Sequence, residues 1–190
     1  MILTYFFIIL IFIILTYLFL LYISIVKKSN TVKESFSTID VYLKKRYDLI
    51  PNLLIIANKF MEHERELFTR LTQLRADAIK IPDSIQNINQ KMLIDKEITT
   101  LLKQLQVSVE NYPQLKSDKI IIKTMQELSK TEEYIAAARR YYNASAKDFN
   151  NAVEIFPSSV IAHILGYKKV SFIKAEKHER KEINNSNKLF

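Results

Sequence analysis

The chain has 190 residues with one glycine, four prolines, no cysteine and a formal net charge of +8. With one glycine there is no G-x-G-x-x-G or G-x-x-x-x-G-K-[ST] loop to cradle a phosphate, and little means of making the positive-φ turns of hairpins and wound sheets. The missing cysteine excludes disulfides, iron–sulfur clusters, thiolate zinc sites and thiol nucleophiles, so a mostly helical chain without those chemistries is the economical expectation.

The first 26 residues, MILTYFFIILIFIILTYLFLLYISIV, contain no charged side chain. As a helix they extend about 39 Å, more than the ~30 Å hydrocarbon core of a bilayer requires. A cleaved leader would place basic residues before the apolar run and small residues at its end. Here the lysines follow the run and no A-x-A pattern ends it, so residues 1–26 are expected to be a transmembrane anchor in contact with lipid. Lys27, Lys28, Lys33, Lys44, Lys45 and Arg46 stand against only Glu34 and Asp40 in the flank that follows. By the positive-inside rule the C-terminal part is expected in the cytoplasm, with the N-terminus outside.

From residue 32 apolar residues recur in alternating steps of four and three: Val32, Phe36, Ile39, Leu43, Ile50, Leu53, Ala57, Phe60, Leu67, Leu71, Leu74 and Ala78. The phase does not slip at Pro51. One rod over 29–80 is therefore expected, about 78 Å long if fully helical. Either it is kinked where Pro51 cannot reach the carbonyl of Tyr47, or Asp48 caps a new, nearly collinear helix. Pro82 breaks the rod, and Asp83 or Ser84 can cap the next helix, which carries Ile85, Ile88, Met92, Ile94, Ile98, Leu101, Leu105 and Val109. Pro113 marks the second turn. A third helix is expected from about Leu115 to Phe156, with Ile121, Met125, Leu128, Ile135, Tyr142, Ala146, Phe149 and Val153 on one face. Pro157 or Ser158 then starts a short helix that Gly166 can end in a left-handed cap.

Steps averaging 3.5 residues define a narrow bundle seam, and short connections make successive helices antiparallel. The expected fold is all-α: the anchor, then an antiparallel bundle of three long helices and one short one over 27–172. A basic polar tail, a frayed helix or disordered, is expected over 173–190.

Four seam positions carry charge: Arg46, Glu64, Glu132 and Arg139. A charge removed from water is costly unless paired. Glu64 is expected to approach Glu132 or Arg139, with at least one buried carboxylate–guanidinium pair. Arg75 and Glu127 could join this layer, and Asn143 could satisfy leftover donors. The layer either fixes helix register or forms a binding site. Carboxylates converging on an open cleft would mark a site, and closure by internal hydrogen bonds would mark a register device.

Metal and nucleophile motifs are not met. None of His63, His163 and His178 has the Glu three residues earlier that a helical di-iron site requires. The stretch HEREL, 63–67, begins like H-E-x-x-H but ends in Leu67. No catalytic, cofactor-binding or metal residue is therefore assigned. Basic charge spread along rods, without a helix-turn-helix or a stacking platform, does not point to nucleic acid.

Several separated motifs occur in order: RxDLIPNL in VYLKKRYDLIPNLLIIANKFMEHERELFTRLTQLRA, then NYPQLKSD, then ELxxTExxIAxARxxYN in MQELSKTEEYIAAARRYYNASAKDFNNAVEIFP. With the apolar N-terminal span, these resemble the LemA family over most of residues 1–172. The motif positions are Arg46, Asp48, Pro51, Asn52, His63, Glu64, Ala76, Pro113, Glu127, Glu132, Arg139, Asn143, Asn150 and Pro157. Around Arg75 the order is L-R-A where the family has A-R. The resemblance implies a bacterial membrane-anchored helical bundle and assigns no firm biochemical activity. A non-enzymatic scaffold or adaptor that presents helix faces to a protein partner, or self-associates, is expected. The alternative is a regulator or enzyme using the polar layer.

Overall fold

The computed structural model describes residues 1–174. These form six helices: α1 (Ile2–Ala57), α2 (Arg65–Lys80), α3 (Ile88–Val109), α4 (Pro113–Lys116), α5 (Lys119–Glu154) and α6 (Ser158–Ile164). Short 3-10 turns precede α2 and α3. Of the tail expected over 173–190, residues 175–190 lie outside the described residues, and Ile173 is buried.

Helix α1 crosses the boundary between anchor and bundle without a break. Its large apolar side chains from Ile2 to Leu20 are exposed, and burial begins with Ile25. From there Ser29, Val32, Ile39, Leu43, Arg46, Ile50, Leu53 and Ala57 face the core, in the three–four alternation of the sequence. The helix continues through Pro51 without a break, so Asp48 does not start a new one.

The rod ends sooner than expected. Helix α1 stops at Ala57, and the next α-helical residue is Arg65. Phe60 and Met61 both donate their N–H to the Ala57 carbonyl, a tightening turn that stops the helix without glycine or proline. The apolar stripe slips there: Met61 is buried and Phe60 exposed, and Phe68 rather than Leu67 takes the fully buried place in α2. Helix α2 then folds back along α1, bringing Arg75 to the backbone of Tyr47.

Side-chain pairs set the direction of the remaining helices. Lys91 meets Asp40 and Asp95 meets Arg46, so α3 runs parallel to α1. Lys45 meets Glu127 and the rings of Tyr42 and Tyr134 stack at 5.0 Å, so α5 runs antiparallel to it. Asp118 caps α5, its Oδ1 accepting from the N–H groups of Ile120 at 2.8 Å and Ile121 at 3.0 Å. Helix α6 packs on both α5 and α1. It ends as expected at Gly166, whose φ is +70°. The N–H of Gly166 bonds to the His163 carbonyl and that of Tyr167 to Ala162, a Schellman cap.

Candidate functional site

Arg46 lies at the centre of the bundle and is 1% exposed. The α1 seam places it there, and its stem shares the core with Leu43 and Ile50. Its Nη1 donates to Asp95 Oδ1 and to Thr99 Oγ1 of α3, each at 2.8 Å. Its Nη2 lies 3.6 Å from Glu132 Oε2 of α5, and Lys103 reaches the other oxygen of Glu132 at 3.1 Å. One buried guanidinium thus ties three helices together. Burial pushes the Asp95 carboxyl above its ordinary 3.8, while Arg46 draws it down without cancelling the shift. Arg46 Nε and Tyr47 Oη are buried with no hydrogen-bond partner among the described residues.

About two turns nearer the apolar end of α1 is a second group. Lys91, almost fully buried, donates to Asp40 at 2.9 Å and also to Asp83, which lies before α3. Lys44 bonds to the other oxygens of both acids, 3.0 Å from Asp40 and 3.2 Å from Asp83. Burial disfavours the Lys91 ammonium, but its two carboxylates outweigh that and hold its pKa above 10.5. The hydrogen bond from Lys91 holds Asp83 below the usual carboxylate value.

Only the outer edge of the Arg46 group opens to solvent. A cleft of about 410 Å³ between α3 and α5 has Arg46 at its floor and Lys103, Gln106, Met125 and Glu132 among its walls. Both carboxylates that Arg46 approaches lie within ion-pair distance of a cation, Asp95 of Arg46 and Glu132 of Arg46 and Lys103. The arrangement is closed by hydrogen bonds between helices on its inner side and offers a charged recess on its outer side.

The sequence-named residues are distributed differently from the expectation. Arg46 and Glu132 meet. The buried carboxylate–guanidinium pair is Arg46–Asp95, with a partner the sequence reading did not name. Glu64 sits on the turn before α2, lining a separate cleft with Leu67, Thr100 and Lys103. Glu127 is on the bundle surface, held between Lys45 at 3.1 Å and Lys130 at 3.3 Å, and these lower its pKa. Arg139 is half-buried, and its charge also favours ionised Asp95. Asn143 lies apart from the layer, its side-chain amide paired with the backbone of Ile173.

Lys91 and Asp95 had a signal in the sequence. A strict three–four count from Ile88 gives 91, 95, 98, 102, 105 and 109, and these are the buried positions of α3. The apolar neighbours Met92, Ile94 and Leu101 fit a competing stripe and are only half-buried.

One helix long and apolar enough to cross a membrane, continuing into an antiparallel bundle stitched by buried ion pairs, defines a membrane-associated helical protein. The LemA family model matches residues 35–185, and the chain belongs to that family. It is 25% identical over 182 residues to Protein LemA of Metamycoplasma hominis, covering 95% of this chain and 81% of that protein. It is 24% identical over 158 residues to magnetosome protein MamQ of Magnetospirillum gryphiswaldense, covering 72% of this chain and 58% of that one. It is 22% identical over 169 residues to magnetosome protein MamQ 2 of Paramagnetospirillum magneticum, covering 77% and 62%. The chain thus spans less than two thirds of either magnetosome protein.

Proposed function

We propose that this chain is a single-pass, membrane-anchored scaffold or adaptor that presents bundle helix faces to a protein partner, with no catalysis and no cofactor. The observation that carries the reading is the continuity of α1, one helix from the exposed apolar run into the buried seam. At about 1.5 Å per residue it is about 84 Å long. Such a helix has no linker between span and bundle, so it fixes the distance and direction of the bundle from the membrane. A tethered enzyme has little need of that stiffness, whereas a platform depends on it. The closed ion pairs of Arg46 and Lys91 fit a rigid body, since breaking either leaves a charge buried. The basic flank after residue 26 favours a cytoplasmic bundle at the bacterial inner membrane, with the N-terminus outside.

The test is photocrosslinking in the membrane from an exposed face of α1, for example a photoreactive residue at Val41 or Ile55, together with purification in mild detergent. Capture of a specific protein, or of a second copy, is the expected result. Neither partner nor self-association under both conditions would count against the scaffold.

A second reading, a regulator or enzyme acting through the polar layer, is favoured by the cleft over Arg46 and Glu132. On that reading Glu132→Gln abolishes an activity and leaves the unfolding midpoint unchanged. Loss of stability instead assigns Glu132 to the frame.

A further inference from the structure

We propose that the corner joining α5 to α6 is a second membrane contact, an apolar tip resting in the headgroup layer of the bilayer that α1 enters. It rests on the reading of α1 as a span.

Packing register gives the position of the corner. Tyr134 of α5 stacks on Tyr42 of α1, and the two helices are antiparallel. Both rise about 1.5 Å per residue, so twenty residues along α5 from Tyr134, Glu154 stands near the level of Tyr22, twenty residues back along α1 from Tyr42. Burial agrees. Ile25 is completely buried and Leu21 and Ile23 are half-buried, while the α1 side chains before them are exposed. The uncharged run continues to Val26. About 20 helical residues suffice to cross the hydrocarbon core, so the last turn or so of that run lies in the interface, level with the corner.

The corner is built for such a site. Phe156 is 78% exposed and Ile164 77%, and Ile155, Val160 and Leu165 are also exposed. Five large apolar side chains are thus exposed on this corner and the short helix after it, and Val160 and Ile164 line one recess with Val153 and Tyr167. Singly scattered exposed apolar residues need no explanation, but five within eleven residues of sequence do. The surrounding charge is basic: Lys27 and Lys168 are exposed, and Lys169 neutralises the nearby Glu154 at 2.6 Å. Exposed apolar side chains with lysines nearby are the pattern of an interfacial element on an anionic bilayer. The lipid surface is therefore the occupant: it already meets α1 at this level, and its charge complements the lysines. With two contacts the bundle cannot swivel freely about α1.

The chain contains no tryptophan, so one introduced residue reports alone. The full chain is reconstituted singly into nanodiscs of phosphatidylcholine and phosphatidylglycerol, with or without lipid brominated on the upper acyl carbons. Phe156→Trp and Ile164→Trp probe the corner, Phe12→Trp the span, and Val41→Trp an exposed bundle face. Circular dichroism checks each fold. The expected result is that the Phe156→Trp, Ile164→Trp and Phe12→Trp chains lose most of their emission to brominated lipid while Val41→Trp does not. Quenching of Phe12→Trp without quenching of the two corner probes overturns the corner and spares the span. Failure at Phe12→Trp overturns the span and the corner with it. Corner probes with blue-shifted emission that brominated lipid does not quench are covered by protein, which also overturns the proposal.

Discussion

The Nε of Arg75 lies 2.7 Å from the carbonyl oxygen of Tyr47, the oxygen that Pro51 leaves without its helical donor. A proline inside a helix costs roughly 3 kcal/mol, part of it the missing hydrogen bond. Here α2 folds back and supplies a guanidinium donor to the vacated site, so the proline both leaves α1 unbroken and creates a docking point for α2.

The two residues are therefore expected to be coupled. Arg75→Met leaves the Tyr47 carbonyl short of a partner and costs about 1–3 kcal/mol. In a Pro51→Ala background, residue 51 has an N–H for that carbonyl, and the same Arg75→Met change costs distinctly less. The check is a double-mutant cycle on unfolding of the full chain in detergent. Equal costs in the two backgrounds would show that the Arg75 contact is independent of the proline.

The pair at Arg46 yields a prediction in charge and one in pH. Removing one member leaves the other buried and unpaired, so Arg46→Met is expected to cost about 3–5 kcal/mol, and Arg46→Met with Asp95→Leu to recover most of it. The folded pKa of Asp95 is raised by burial above the ordinary 3.8. The folded chain then holds this proton more tightly than the unfolded chain. The associated stability is present below 3.8 and lost as pH rises through the raised value. Asp95→Asn removes that dependence. The wild-type unfolding midpoint is therefore expected to fall relative to Asp95→Asn as pH rises from 3.8 through the raised value. A parallel pH dependence would place the titration elsewhere.

Much of this was legible in the string, for identifiable reasons. The span, the α1 seam through Pro51, the α5 stripe and the Gly166 cap each rest on a local signal: charge, period or the one residue tolerant of positive φ. The reversal at 58–64 has no such signal. No glycine or proline stands there, and the stripe resumes with Leu71 as if unbroken. It is tertiary contact, including Arg75 on Tyr47, that makes α2 turn back. The polar layer was half-legible. Arg46 breaks an apolar stripe and shows by contrast, whereas Lys91 and Asp95 hide among isoleucines that fit the helix nearly as well.

Lys91 and Lys44 grip the same two carboxylates but differ in exposure, 5% against 61% for the side chain. Lys91→Met leaves Asp40 half-compensated in a nearly closed site, with Lys44 still present, and is expected to cost about 2 kcal/mol, below the usual loss for a fully broken buried pair. Lys44→Ala is expected to leave the midpoint within error, because water and salt screen an exposed ion pair. The Lys91 pKa is raised above 10.5, so its contribution is complete below that value and is lost as pH rises through the raised one. Asp83, shifted below 3.8, contributes above 3.8 and loses its contribution as pH falls through its depressed value. Unfolding of both variants in detergent at neutral pH decides the order. A larger loss for Lys44→Ala would contradict this account.

After α6 the chain returns along α5, held by two asparagines. Asn150 exchanges two hydrogen bonds with the backbone of Val170, and Asn143 does the same with Ile173, all at 2.9 Å. The spacing is commensurate: seven residues of helix rise about 10.5 Å, and three residues of extended chain cover about 10 Å. Tyr142 adds a bond to the Ser171 carbonyl at 2.9 Å. Each amide stands in for the neighbouring strand that this segment lacks. Asn150→Ala is therefore expected to speed hydrogen exchange at the Val170 amide, and Asn143→Ala at Ile173, each with a small effect on the other. Asn150→Asp keeps the acceptor for the Val170 N–H and is expected to leave that amide more protected than the alanine variant. Joint release of both amides by either alanine would mean that the segment docks as one unit through Ile173 and its neighbours, with the asparagines only registering it.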